Sequence, residues 1–214
     1  MGKSEQLRIG IGGLVFVVLA LVVVALVPMP PGVNASSASL ALHYAKNKHG
    51  LFFAGGFVTM AAVVVVMFWF VYFRDRLASA PGARRLANVG LAGAIIFGVS
   101  GGMAAGHDFV LSDAAGKASL TTIRVLNYLP DLNLGLTAIG VVVFLLATAL
   151  VVIRFRVLPV WMGWLSVAFA VASFVVTSAA LPALALWMIP TNIVLIARSR
   201  SEAERTADQI VPAG

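Results

Sequence analysis

The sequence predicts an all-α membrane protein: a bundle of six transmembrane helices with both termini in the cytoplasm. Three observations carry this reading. Six apolar runs follow one another along the chain, Lys and Arg fall almost entirely into alternate gaps between them, and the composition leaves no polar surface for a soluble domain. With 61% hydrophobic and 11% charged residues among 214 and a mean hydropathy of +1.01, the bilayer has to be the solvent.

A helix needs about 20 apolar residues to cross a hydrocarbon core about 30 Å thick. The first run, residues 9–27, follows Lys3 and Arg8. The small residues after it, Val33-Asn34-Ala35 and Ser36-Ser37-Ala38, also fit a secretory signal in which residues 1–35 are cleaved. The run exceeds the 7–15 residues of a signal core, which favours an uncleaved anchor. The second run covers 51–73 and ends in Phe68-Trp69-Phe70-Val71-Tyr72-Phe73, which together with Trp161, Trp164 and Trp187 reads as interfacial anchoring and lipid contact. The third, 86–106, repeats Gly90, Ala94, Gly98, Gly102 and Gly106 every fourth residue, a stripe that lets a neighbouring helix approach closely. Gly12, Gly13, Gly55 and Gly56 offer further close approaches. Before the fourth run, 132–153, Leu120, Ile123, Leu126 and Leu129 mark a short amphipathic segment. It lies on the membrane surface and either returns the chain to the bilayer, with Asp131 at a helix start, or forms a lid. The fifth and sixth runs, 160–181 and 183–197, form a hairpin turning at Pro182, and Pro190-Thr191-Asn192 interrupts the sixth. Residues 1–198 thus form the transmembrane domain. Residues 199–214 form a short polar cytoplasmic tail, in which Ser201-Glu202-Ala203-Glu204 fits a capping box that starts a helix.

Placing the N-terminus inside puts Lys3, Arg8, Arg74, Arg76, Arg84, Arg85, Arg154, Arg156, Arg198, Arg200 and Arg205 on the cytoplasmic side. These are eleven of the fifteen basic residues, as the positive-inside rule requires. The net charge of +7 therefore serves insertion and anionic lipid, not nucleic acid. The absence of cysteine excludes disulfide exchange, thiolate catalysis and Cys-ligated metal clusters. No metal-ligand motif, nucleotide loop or nucleophile motif occurs, so no catalytic residue, metal or cofactor is assigned. The spans carry no ionisable side chain, which argues against a proton-coupled carrier.

The outer loops, 28–50 and 107–131, gather the chemistry. His43, His49, His107, Asp108, Asn127 and Asp131 are the candidate ligand-binding residues, with Tyr44 and Asn133 beside them. If the helix ends converge, imidazoles and carboxylates share a water-facing vestibule suited to a small molecule or a lipid head group. Alternatively, these groups are solvated or anchor helix ends in the head-group zone. His43 and His49 are about 240° apart around a helix and cannot chelate from one face.

Arg84-Arg85-Leu86-Ala87, and Arg154-Phe155-Arg156 followed by Leu158-Pro159-Val160-Trp161-Met162-Gly163-Trp164-Leu165, resemble an uncharacterised, largely actinobacterial group of six-span membrane proteins. That resemblance implies the same layout in a bacterial cytoplasmic membrane and transfers no activity. The reading the sequence carries is a non-enzymatic accessory subunit or lipid-facing scaffold, with membrane lipids and another membrane protein or a second copy as partners. Two alternatives stay open: a small-molecule or head-group binder or permease using the vestibule, and an enzyme with His107-Asp108 as its acid-base pair.

Overall fold

A computed structural model describes residues 3–27, 31–32 and 34–210. These residues are helical almost throughout: α1 (Lys3–Leu26), α2 (Ser37–Gly50), α3 (Thr59–Leu77), α4 (Arg84–Ala114), α5 (Leu120–Phe155), α6 (Val160–Val175) and α7 (Ala180–Ile210). A π-helical stretch, Leu51–Val58, joins α2 to α3, so residues 37–77 form one continuous rod. Among the described residues, five helical segments are long and apolar enough to cross a membrane; α6, with 16 residues, is apolar but shorter. The helices pack in the cyclic order α1, α3, α4, α5, α6, α7 and back to α1, and α5 also reaches across to α7.

The bundle has two unlike ends. Arg74 and Arg76 close α3, Arg84 and Arg85 open α4, Arg154 closes α5, and Arg198 donates from α7 to the Val157 carbonyl at 3.0 Å. Arg156 ends α5 in the left-handed region (φ 54°), and Pro159 caps α6. The start of α1 lies at this arginine end too, because Gly10 and Gly13 face Ile196 and Asn192 of α7. The opposite, histidine end holds His43, His49 and His107.

Several sequence expectations are corrected. The α6–α7 hairpin turns at Val176–Ala179, through a 3₁₀ turn, and not at Pro182. Pro182 sits in the first turn of α7, where its missing N–H has no acceptor to lose. Pro190 does not interrupt α7: Thr191 and Asn192 each donate from the side chain to the carbonyl four residues back, at 2.8 Å. Such side-chain donors reconcile proline with a membrane helix. Ser201 starts no new helix, since α7 runs on to Ile210. Residues 120–131 are not a separate surface segment. They begin α5, which continues through Pro130 for 36 residues, about 54 Å at 1.5 Å per residue. The cap is Ser119, whose hydroxyl accepts from the Thr122 N–H at 3.2 Å, and Asp131 is exposed inside the helix. The two long outer loops are likewise mostly helix, supplied by α2 and the far end of α4. The candidate cleavage region includes Val33, which lies outside the described residues.

The aromatic residues divide in a way hydropathy does not reveal. Phe68, Tyr72, Trp161 and Trp164 are exposed on the outer face, as lipid contacts require, whereas Trp69, Phe70, Phe73 and Trp187 are buried. Trp69 stacks on Phe73 with centroids 4.7 Å apart, and Phe144 meets the edges of Phe70 at 4.7 Å and Trp187 at 5.4 Å. Both buried indoles find acceptors: Trp69 Nε1 donates to Asn192 Oδ1 at 2.9 Å and Trp187 Nε1 to Ser166 Oγ at 2.8 Å. These bonds tie α3 to α7 and α6 to α7 where no water competes.

The glycine stripe is shared between neighbours. Gly90 and the buried Ala94 belong to the face against α5, Gly98 sits under Met67, and a Cβ on Gly102 or Gly106 would meet nothing within 4 Å. The tightest crossing is off the stripe. A Cβ on Gly93 would lie 2.6 Å from the Phe144 nitrogen, and one on Gly140 the same distance from the Phe97 nitrogen. There α4 and α5 meet backbone to backbone. Gly13 also makes a close approach, to Asn192, while Gly12 has open space.

Candidate functional site

Toward the histidine end, the centre of the bundle is hollow. A cavity of about 490 Å³ lies between α1, α3, α4 and α5, within the range of small-molecule pockets. Its walls are mostly apolar, with Ala20 and Val23 from α1, Ala62 and Val63 from α3, and Ala104 and Leu134 from the long helices. Phe16 and Phe97 also line it. Phe16 meets Phe97 edge-on at 6.4 Å, and Phe97 meets Phe70 at 6.0 Å. The cavity floor is therefore continuous with the buried aromatic layer.

Two polar groups interrupt the apolar lining. Midway along the bundle, the Ser100 hydroxyl donates to Asn133 Oδ1 at 2.9 Å and sits beside Thr137 Oγ1 at 2.5 Å, while Asn133 Nδ2 donates to the Ser100 carbonyl at 2.9 Å. This clamp joins α4 to α5 and leaves each polar atom a partner. At the histidine end of the cavity stand His107, Asp108 and Tyr44. His107 Nε2 is 2.8 Å from the Leu126 carbonyl. A carbonyl only accepts, so the proton is on Nε2, and Nδ1 faces Asp108 Oδ1 at 3.6 Å. The Tyr44 hydroxyl donates to Asn127 Oδ1, and Asn127 Nδ2 reaches the Pro31 carbonyl at 3.5 Å.

The π-helical stretch explains how Asp108 fits. A Cβ on Gly55 would overlap the Asp108 carboxylate, and one on Gly56 would overlap the Phe109 ring. Two bare residues in a widened helical turn thus make room for an acid and an aromatic from α4. Thr59 Oγ1 donates to the Ala54 carbonyl, five residues back, at 3.2 Å. Local π geometry of this kind recurs at functional sites.

The sequence-selected residues fall into three groups. His107 and Asp108 line the cavity; Asn127 is buried behind it and holds Tyr44 in place. His43, His49 and Asp131 do not line it: His43 packs edge-on against the Tyr44 ring at 5.2 Å, and His49 and Asp131 are exposed. Tyr44 and Asn133, noted only as neighbours in the sequence, are lining residues. Ser100, Thr137 and Thr59 were not singled out at all. Small hydroxyl residues in membrane helices commonly bond their own backbone, so in sequence they do not announce a site.

No group of three or more His, Cys, Asp or Glu side chains able to hold a metal occurs among the described residues. A second hollow, of about 440 Å³, opens between α1 and α3 beside Arg8, Gly12 and Tyr72. It accounts for the bare surroundings of Gly12. Comparison with known protein families, curated proteins and solved structures gave no match, so the chemistry of these residues alone carries the functional reading.

Proposed function

We propose that this is a non-enzymatic integral membrane protein of the bacterial cytoplasmic membrane that holds one amphipathic small molecule in the cavity at its outer end. The observation that carries the reading is the uneven lining of that cavity. Polar groups cluster at its histidine end and along one wall, apolar side chains line the rest, and stacked aromatics lie beneath. A pathway through the bilayer needs a continuous polar or wettable route, and Phe16, Phe97, Phe70 and Trp69 stand where it would run. Binding or presentation suits this geometry better than conduction. An acid-base enzyme would need a free nucleophile beside His107 and Asp108, whereas the Tyr44, Thr59 and Ser100 hydroxyls donate to Asn127, the Ala54 carbonyl and Asn133.

In this reading the chain crosses six times, with the arginine end and both termini in the cytoplasm. The 16 residues of α6 rise about 24 Å, a mismatch that local thinning accommodates. In the same reading the first helix is a retained anchor, which the place of Phe16, Ala20 and Val23 in the cavity wall supports. A second reading, as an accessory subunit or scaffold for another membrane protein or a second copy, draws on the open face of α4. There Val99, Met103 and Val110 are exposed and Gly102 and Gly106 have no neighbour.

Native mass spectrometry of the protein taken gently from its own membrane tests both readings. The expected result is one retained small amphiphile per chain, lost in Ala104→Phe, a substitution that fills the cavity from its wall. A wild-type chain that carries no small molecule but a stoichiometric second polypeptide would replace the binding reading with the scaffold one.

A further inference from the structure

We propose that the cavity selects cationic amphiphiles, with an organic ammonium head at Asp108 and an alkyl tail running down to Phe16 and Phe97. The inference rests on the reading of the cavity as a ligand site and adds the charge of the ligand. Among the described lining residues Asp108 is the only acid, and no Lys or Arg is present. The side chains of Asp108 and His107 are only 21% and 11% exposed. A carboxylate so placed is expensive unless a cation or strong donors face it.

The surroundings of Asp108 leave that place open. Its ion-pair partner among the described residues is His107 Nδ1 at 3.6 Å, beyond the ordinary range of a hydrogen bond. The proton His107 holds in its neutral form is on Nε2 and committed to Leu126. The Tyr44 hydroxyl spends its proton on Asn127, so its oxygen can still accept. Carboxylate, imidazole Nδ1 and phenol oxygen thus offer acceptors at this end of the cavity, the complement of an ammonium with N–H groups to donate. A bare metal ion is a poor match, because no three-ligand set exists among the described residues and the walls are apolar. An anionic head would lie against the Asp108 carboxylate.

The length of the cavity sets the tail. Asp108 and Phe97 are eleven residues apart on α4, about 16 Å at 1.5 Å per residue, which suits an extended dodecyl chain. The polar clamp of Ser100, Asn133 and Thr137 is internally satisfied and makes no demand for a charge on the tail.

The test compares dodecylamine, 1-dodecanol and dodecanoate as ligands of the full-length protein in a maltoside detergent, reading the concentration dependence of the thermal midpoint. The expected order is dodecylamine tightest, by about tenfold over dodecanol, the difference between a charge-assisted and a neutral hydrogen bond, with dodecanoate weakest. Asp108→Asn should erase that tenfold preference while dodecanol binding persists, and Asp108→Glu should restore it. Equal binding of the three ligands by wild type, or a preference that survives Asp108→Asn, overturns the inference and leaves the binding reading intact. If Asp108→Asn does not fold, the wild-type order and the Asp108→Glu comparison decide the matter. If none of the three shifts the midpoint, both the inference and the binding reading fail.

Discussion

Gly140→Leu and Gly93→Leu are expected to leave no folded bundle, whereas Gly102→Leu on the same membrane-embedded helix as Gly93 should unfold within about 0.5 kcal/mol of wild type. The contrast follows from what surrounds each position. A Cβ on Gly93 would lie 2.6 Å from the Phe144 nitrogen and 2.7 Å from the Gly140 carbonyl oxygen. Both are backbone atoms that cannot rotate aside, so α4 and α5 must separate. That separation would strip contact from Phe97 and Phe144, which flank the crossing and belong to the buried aromatic layer. Even Gly93→Ala is informative, because helix propensity favours alanine by about 1 kcal/mol while overpacking costs about 1–3 kcal/mol or more. Against rigid backbone the second effect wins, and a net loss of about 1–2 kcal/mol is the expected result. Fluorescence-detected gel filtration after graded heating reads these differences directly. A Gly93→Ala protein as stable as wild type would show that the helices do not meet backbone to backbone.

Trp69→Ala carries the other large expected effect, a loss of about 3–5 kcal/mol in reversible unfolding by a denaturing detergent. Three things are removed together: the stacked contact with Phe73, the edge contact with Trp187 at 6.2 Å, and the indole donor that satisfies Asn192 Oδ1. Trp69→Phe separates them. It keeps an apolar ring in the layer and deletes the donor, so it should cost about 1 kcal/mol, the size of an interhelical hydrogen bond in a membrane protein. Equal losses in the two variants would mean that the hydrogen bond, and not the aromatic packing, holds α3 against α7. Because Phe70 connects this layer to Phe97 at the cavity floor, Trp69→Ala should also weaken ligand retention, while Trp69→Phe should not.

What the sequence made legible, and what it hid, follows from the solvent. Apolar runs of spanning length and alternating basic gaps identify membrane helices because lipid demands both, and the structure supplies five long apolar helical segments and the shorter α6. Helix orientation was not legible. In water a polar stripe marks the outward face, but in lipid both faces are apolar, so Trp69 inside and Trp161 outside look alike in sequence. Proline misled for a related reason. Pro182 and Pro190 read as breaks, yet one fills a first helical turn and the other is accommodated by Thr191 and Asn192.

The site was legible in part. His107 and Asp108 stood out as adjacent titratable groups at the end of an apolar run, and the structure sets both into the cavity wall. His43, His49 and Asp131 were grouped with them by nearness to span ends, but α2 and α5 are helices there, and helical rotation turns those side chains away. The glycine stripe pointed to the right helix and missed Gly93, since a crossing depends on the partner, Gly140, forty-seven positions later. Gly55 and Gly56 were noted as close approaches, and they are; their role in admitting Asp108 and Phe109 depends on a π-helical turn that no residue pattern signals.

Whether the cavity at the histidine end holds an amphiphile with its tail on the aromatic floor is tested most directly by anomalous X-ray diffraction from crystals grown with 12-bromododecylamine. The bromine should appear inside the bundle beside Phe16, Ala62 and Phe97, at the far end of the cavity from Asp108. Bromine found only on the lipid-facing exterior, with the cavity free of ligand density, would contradict the account.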